Sequence, residues 1–229
     1  MSSRDRIMAK VRAGVAAGAP VEIADDVRRA TVAARLSSHP RGLVPARVAG
    51  KPQEELPSIM RRWLELAGAE MIEVADNASV PAAVAGYLRS HNMPQQVRFG
   101  ADPYLAELPW RREPQLQILR GPADRIDTAS LTYALAAIAE TGTMVVPSGL
   151  DNPVTLSFLP ESNIVVVARG DIVGPLEDAM ARARSRAAAG AGMPRTLNLI
   201  SGPSRSADIG GIPVFGAHGP RRLCVIVVG

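Results

Sequence analysis

From Gln53 onward the apolar positions alternate between a helical and an extended rhythm. Leu56, Met60, Trp63, Leu64 and Ala67 fall on one side of a helix over Glu54–Ala67, with Pro57 tolerated in its first turn. Ala69–Ala75 then reads as a strand, and Ser79 as the N-cap of a helix carrying Val80, Val84, Tyr87 and Leu88. Gln96–Gly100 and Leu116–Leu119 read as short strands around a Pro-rich loop that holds Trp110, Arg111 and Arg112. Leu131 and Tyr133 look strand-like, Ala134–Ala139 is expected as a compact turn or helix of small residues, and Met144-Val145-Val146 is again extended. Ser148–Pro160 is a polar loop before Asn163–Ala168, the clearest buried strand. Asp171 is expected to cap a helix whose apolar face is Leu176, Ala179, Met180 and Ala183, stopped by Gly190 and Gly192. Thr196–Ile200 and Leu223–Val228 complete the series. Strands and helices alternating at these lengths predict an α/β fold with a mainly parallel sheet and helices on its faces.

Before that body, residues 5–17 and 22–36 carry helical periodicity, and His39–Pro52 is broken by Pro40, Gly42, Pro45, Gly50 and Pro52. The expected organisation is a helical N-terminal extension and arm over residues 1–50 and one α/β domain over residues 51–229.

Composition narrows the function classes. Net charge is +4, carried almost wholly by scattered arginines, and aromatic residues are only 3% of 229. That combination offers few stacking platforms for bases and suits a small anionic ligand better than nucleic acid. Cys224 is the only cysteine and lies within an apolar strand, so the chain offers neither an internal disulfide nor a four-thiolate cluster. His39, His91 and His218 have no metal-ligand spacing, and no metal is expected on this chain. The first residues lead into no apolar signal core and no run reaches membrane-spanning length, which makes the cytoplasm the expected compartment.

Candidate chemistry concentrates in three turns. The strand ending at Ile200 runs into Ser201-Gly202-Pro203-Ser204-Arg205-Ser206-Ala207-Asp208, which gathers hydroxyls, a guanidinium and a carboxylate. Such donors suit a carboxylate or phosphate, whereas a well-made surface turn is the plainer reading. Gly216-Ala217-His218-Gly219-Pro220 is the second turn and Glu140-Thr141-Gly142-Thr143 the third. The three are expected to border one cleft at the carboxyl ends of neighbouring strands. Ligand contacts are expected from Thr141, Gly142, Thr143, Ser201, Gly202, Ser204, Arg205, Ser206, Asp208, Gly216 and Gly219. Glu140 and His218 are the candidate catalytic groups, although a lone carboxylate at a bend more often ties down a turn. No GxGxxG, GxxxxGK[ST] or GxSxG motif occurs.

In combination, Ala139-Glu140-Thr141-Gly142-Thr143, Phe158-Leu159-Pro160, Ser201 to Ile209 and Gly216 to Pro220 resemble the lactate utilization protein C family, also known as the LUD domain. The likeness covers most of the chain and is strongest from about Ile126 to Val228. It departs from the family's usual pattern at Thr155, Asn163 and Gly210, where relatives usually carry an arginine, a histidine and a glutamate. The resemblance implies a Rossmann-like sheet of the type shared by CoA transferases, ribose-5-phosphate isomerase and glucosamine-6-phosphate deaminase. It also implies a part in oxidising L-lactate to pyruvate with two partner proteins that bear the iron–sulfur clusters, no cofactor being bound by this chain. The alternative is a stand-alone enzyme or binding protein for a phosphorylated or CoA-linked organic acid on the same scaffold.

Overall fold

In the computed structural model, which describes residues 2–17, 24–206 and 214–229, the chain divides into two units, Met1–Gly42 and Leu43–Gly229. The first holds helices α1 (Ser3–Ala17) and α2 (Asp25–Ser38), both with every described side chain at least partly exposed. Helix α2 ends where His39 turns left-handed at φ 46° and donates its N–H to the carbonyl of Arg35.

The second unit begins within the Pro/Gly-rich segment. Val48 is buried there, and Val44 packs on the same core. Helix α3 (Leu56–Ala67) follows, burying Met60 and Leu64 and ending at Gly68, whose φ of 80° suits a residue without Cβ. Strand β1 (Glu70–Val74) leads to α4 (Val80–Ser90). Ser79 precedes α4, but its hydroxyl and backbone N–H both donate to Asp76, which caps the short turn Asn77–Ser79 instead. The chain continues through β2 (Gln96–Phe99), α5 (Pro103–Glu107), β3 (Gln117–Arg120) and β4 (Ala129–Tyr133).

Ala134–Ala139 departs from expectation. Its centre is β5 (Ala136–Ile138), which pairs antiparallel with β6 (Thr143–Pro147) and parallel with β8 (Ile172–Val173). Side chains this small let a second sheet lie close to the first, and that tertiary gain overrides the helical preference of alanine. Strand β7 (Ser162–Ala168) precedes β8, and α6 (Leu176–Arg186) follows it. Pro175, not Asp171, occupies the N-cap of α6; Asp171 pairs instead with Arg182 one face along that helix. The remaining strands are β9 (Leu197–Ile200), β10 (Arg205–Ser206), β11 (Val214–Phe215) and β12 (Arg222–Val228).

Six strands form a parallel sheet in the order β1-β12-β7-β4-β2-β3, and four form a second sheet in the order β8-β5-β6-β9. The central strands β7 and β12 are buried on both faces, which is why they read as continuous apolar runs. Val165, Val167, Val225 and Val227 face α3 and the second sheet, with Met60, Leu64, Met144 and Val146. Ile164, Val166, Cys224 and Ile226 face α4 and α5, with Val84, Leu88 and Leu105. Each such side chain contributes about 1.5–3 kcal/mol by leaving water. No helix among the described residues is long and apolar enough to cross a membrane.

Candidate functional site

The structure links the three Gly-rich turns, and two of them, at Gly142 and Gly202, lie against the C-terminal half of α3. Because β6 and β9 pair antiparallel with Met144 opposite Ile200, Thr143 meets Ser201, and their hydroxyl oxygens lie 2.6 Å apart. Thr141 extends the hydroxyl chain, its Oγ1 being 2.7 Å from that of Thr143. Gly142, at φ 64°, lies so close to α3 that a Cβ would sit 3.0 Å from the Leu64 nitrogen. A Cβ on Gly202 would be 2.8 Å from that of Ala67.

Glu140 is engaged. Arg47 donates to its carbonyl at 3.0 Å and to its carboxylate at 3.3 Å, and the same guanidinium lies 5.1 Å from the Trp63 ring centroid. This carboxylate therefore fastens the 43–50 segment to the turn.

Ser204 joins the second turn to the first. Its N–H donates to Pro220 at 2.8 Å, its carbonyl accepts from Gly216 at 3.0 Å, and its hydroxyl accepts from the His218 N–H at 3.3 Å. Gly219 abuts the same serine. Arg205 and Ser206 form β10, paired with Phe215 and Val214, and the Arg205 guanidinium lies 5.2 Å from the Phe215 ring centroid. Its tip fills the space left by the missing side chain of Gly68. Asp208 and Gly210 lie outside the described residues.

The edge of the sheet differs from the expected one. The Gly216–Pro220 turn leads into β12 and so stands at its amino end, and α3 finishes just before β1 begins, at that same edge. Ser201 follows β9, which belongs to the second sheet and not to the parallel one. The reason is connectivity: a turn that feeds a strand sits at its start, however glycine-rich it is.

The carboxyl edge carries a different group of residues. β2 and β4 are neighbours, with Arg98 opposite Ser130. After β2 the chain passes to α5, whose Leu105 packs on the α4 face; after β4 it passes to β5, whose Ala137 packs on the other. Adjacent strands whose continuations leave on opposite faces open a crevice between them, the usual ligand position in parallel sheets. Here it is a cleft of about 410 Å³, lined by Asp102, Tyr104, Tyr133, Ser148, Asp151 and Arg186 among others. A neighbouring groove of about 600 Å³ shares Tyr104 and runs along Asp76–Ala78 to Gly229.

The cleft walls are held by backbone contacts. Ala101 donates to Leu150 at 2.9 Å, Ser148 to Thr196 at 2.9 Å, and buried Asn152 accepts from the Tyr133 N–H at 3.2 Å. Tyr104 and Tyr133 are in contact with ring centroids 4.4 Å apart and planes tilted by 39°, and the Tyr104 hydroxyl donates to Asn77 at 2.7 Å. Burial is the main cause that pushes the Tyr133 phenol up to about 12. Asp102 is 7% exposed and accepts from the Leu105 N–H at 3.0 Å as the cap of α5. Burial raises its carboxyl above the ordinary range, and the charge of Asp151 adds to the effect. The guanidinium of Arg186, on the last turn of α6, forms no ion pair within 4 Å among the described residues, but its charge acts on Asp102 and partly offsets the rise of that carboxyl.

Asp102 gives a pH-dependent prediction. An acid whose folded value is raised leaves stability intact below its unfolded value and removes it as pH rises through the folded one. Asp102→Asn keeps the capping oxygen and deletes the buried charge, so its melting temperature should exceed that of the parent at pH 7. The gain should vanish below pH 3.8, where both states bind the proton. Melting curves across pH 3–8 check this.

None of these cleft residues was marked by a motif, since they come from four separate stretches of chain. One signal was present: the chain has three tyrosines, and two of them line this cleft. Of the unusual positions, Asn163 is buried beside Ser130 and donates to its hydroxyl at 3.0 Å, and the Thr155 hydroxyl accepts from the Ala123 N–H at 2.9 Å. No group of three or more His, Cys, Asp or Glu among the described residues is disposed to hold a metal.

The LUD domain profile matches residues 115–228. The chain is 39% identical over 98 residues to lactate utilization protein C of Halalkalibacterium halodurans, a stretch covering 43% of each chain. It is 29% identical over 195 residues to the protein of that name from Geobacillus thermodenitrificans, covering 79% of this chain and 81% of that one. The matched stretch thus spans less than half of the first relative's length. Among solved structures, a DUF162 family protein from Deinococcus radiodurans superposes with a TM-score of 0.61 at 28% identity, over 78% of this chain and 99% of that one.

Proposed function

This chain belongs to the lactate utilization protein C family, with its LUD domain at residues 115–228, and on that premise we propose that it is a non-redox subunit of a cytoplasmic system oxidising L-lactate to pyruvate. That oxidation releases two electrons and two protons, so an acceptor is required. In this reading two partner proteins with iron–sulfur clusters take the electrons. The supporting observation is Cys224: it is the only cysteine, fully buried in β12, and burial pushes its thiol up, away from the thiolate that a cluster requires. A thiolate-held cluster does not fit this chain.

For the small anion itself, Arg205 is the proposed cation, with Ser201, Ser204, Ser206 and Asp208 around it and the Thr141–Thr143 and Gly216–Gly219 turns as its frame. Glu140 and His218 are the groups proposed to hold a proton there, Glu140 from within its pair with Arg47. A strain lacking this chain should lose growth on L-lactate as sole carbon source while growing normally on pyruvate. Undiminished growth on L-lactate would refute the reading.

The second reading, a stand-alone enzyme or binding protein for a phosphorylated or CoA-linked acid, is favoured by one observation, the size of the cleft at the carboxyl edge. A sheet of the CoA transferase, ribose-5-phosphate isomerase and glucosamine-6-phosphate deaminase type is proposed with it.

A further inference from the structure

The cleft between β2 and β4 is far larger than lactate needs. A three-carbon acid has six heavy atoms, whereas pockets of roughly 300–1,000 Å³ hold drug-sized ligands. The cleft measures about 410 Å³ and shares Tyr104 with a neighbouring groove of about 600 Å³. Its chemistry is mixed in a specific way. Tyr104 and Tyr133 are half-buried, so each keeps ring surface open to the cleft. Arg186 is the only Lys or Arg in the lining; no hydrogen bond or ion pair holds its guanidinium, although its charge acts on Asp102. Asp102 and Asp151 offer oxygens that, when ionised, only accept. Asp102 already accepts from the Leu105 N–H and is approached by the Tyr104 N–H, so Asp151 is the more open acceptor for a ligand donor.

An occupant must therefore bring a planar ring for the tyrosines, hydroxyl or amino donors for the carboxylates and a single anionic group for Arg186. Small dicarboxylates and bare polyanions are disfavoured by the two aspartates, and a plain hydrocarbon ring would leave them without donors. We propose that this cleft binds a nucleoside monophosphate moiety, with its base against Tyr104 and Tyr133, its ribose hydroxyls on the Asp102 and Asp151 side and its phosphate on Arg186. The inference goes beyond the lactate reading and does not depend on it.

Calorimetry of the full chain with AMP, ribose 5-phosphate, coenzyme A and L-lactate tests the assignment. AMP should bind at least tenfold more tightly than ribose 5-phosphate, because the ring adds a stacking contact. Arg186→Ala and Tyr104→Ala should each weaken AMP about tenfold, and Tyr104→Phe, which keeps the ring, should not. Circular dichroism and melting curves confirm that each variant folds. Coenzyme A binding more tightly than AMP marks the nucleotide end of a larger cofactor; equal or weaker binding marks a free mononucleotide. If AMP binds no better than ribose 5-phosphate, or binds folded Arg186→Ala as well as the parent, the proposal is overturned. Growth on L-lactate is read separately, so either conclusion can fail alone.

Discussion

Gly100→Ala is expected to destabilise the protein by roughly 3–5 kcal/mol, near the upper end for a single added methyl. Gly100 does not have a left-handed backbone, so the cost is purely one of space. A Cβ there would lie 2.1 Å from the Asp151 carbonyl oxygen, 2.6 Å from Pro153 Cδ and 2.7 Å from the Asp151 carbonyl carbon. None of these is the tip of a flexible side chain. The loop that carries them is tied to Leu150–Ala101, Asn152–Tyr133 and Ser148–Thr196 contacts and has nowhere to retreat. At about 2–4 °C per kcal/mol for a chain of this size, the melting temperature should fall by about 10 °C. Gly170→Ala is the control, since a Cβ there meets nothing within 4 Å, and it should change stability by no more than about 0.5 kcal/mol. Equal melting temperatures for the two variants would show that the 148–153 loop moves freely.

Leu64→Ala should cost about 3–4 kcal/mol. The leucine is fully buried between α3 and the parallel sheet, among Met60, Val225 and Val227, and its removal leaves a void that rigid strands cannot close. Leu66, two residues on, is 62% exposed, and its replacement by alanine should be close to neutral. Urea unfolding should show a lower midpoint for Leu64→Ala with an unchanged slope. A loss below about 1 kcal/mol would mean that the Glu140–Thr143 turn settles into the space.

Strand and helix rhythm made most elements of the larger unit legible, because burial on one or both faces imposes period 2, continuous apolarity or period 3.6. Ala134–Ala139 escaped that logic, since four alanines with Leu135 and Ile138 fit a turn, a helix or a strand, and only the presence of β6 and β8 decides. Asp171 looked like a cap because carboxylates at helix starts usually are; its actual partner, Arg182, lies on the helix surface and no local pattern announces it. The mutual approach of the three Gly-rich turns was legible, and the edge of the sheet on which they gather was not. That edge depends on which strands are parallel neighbours, a property of the whole topology. For the same reason Asp102, Tyr133 and Arg186 form a group only once β2, β4 and α6 are in place.

Strand β12 lies between β1 and β7, and among the described residues β1 has no other strand beside it. Glu70 therefore finds its ladder partner, Cys224, only after nearly the whole unit has left the ribosome. Until then the core beneath α3 and β1 lacks Leu223, Val225 and Val227, and the valines of β7 offer an open edge. Long-range parallel pairing of this kind is slow and exposes nascent chains to aggregation. A ribosome-arrested chain stopped before Arg222 should thus remain protease-sensitive around residues 56–74 and bind trigger-type chaperones, and release of the last strand should end both.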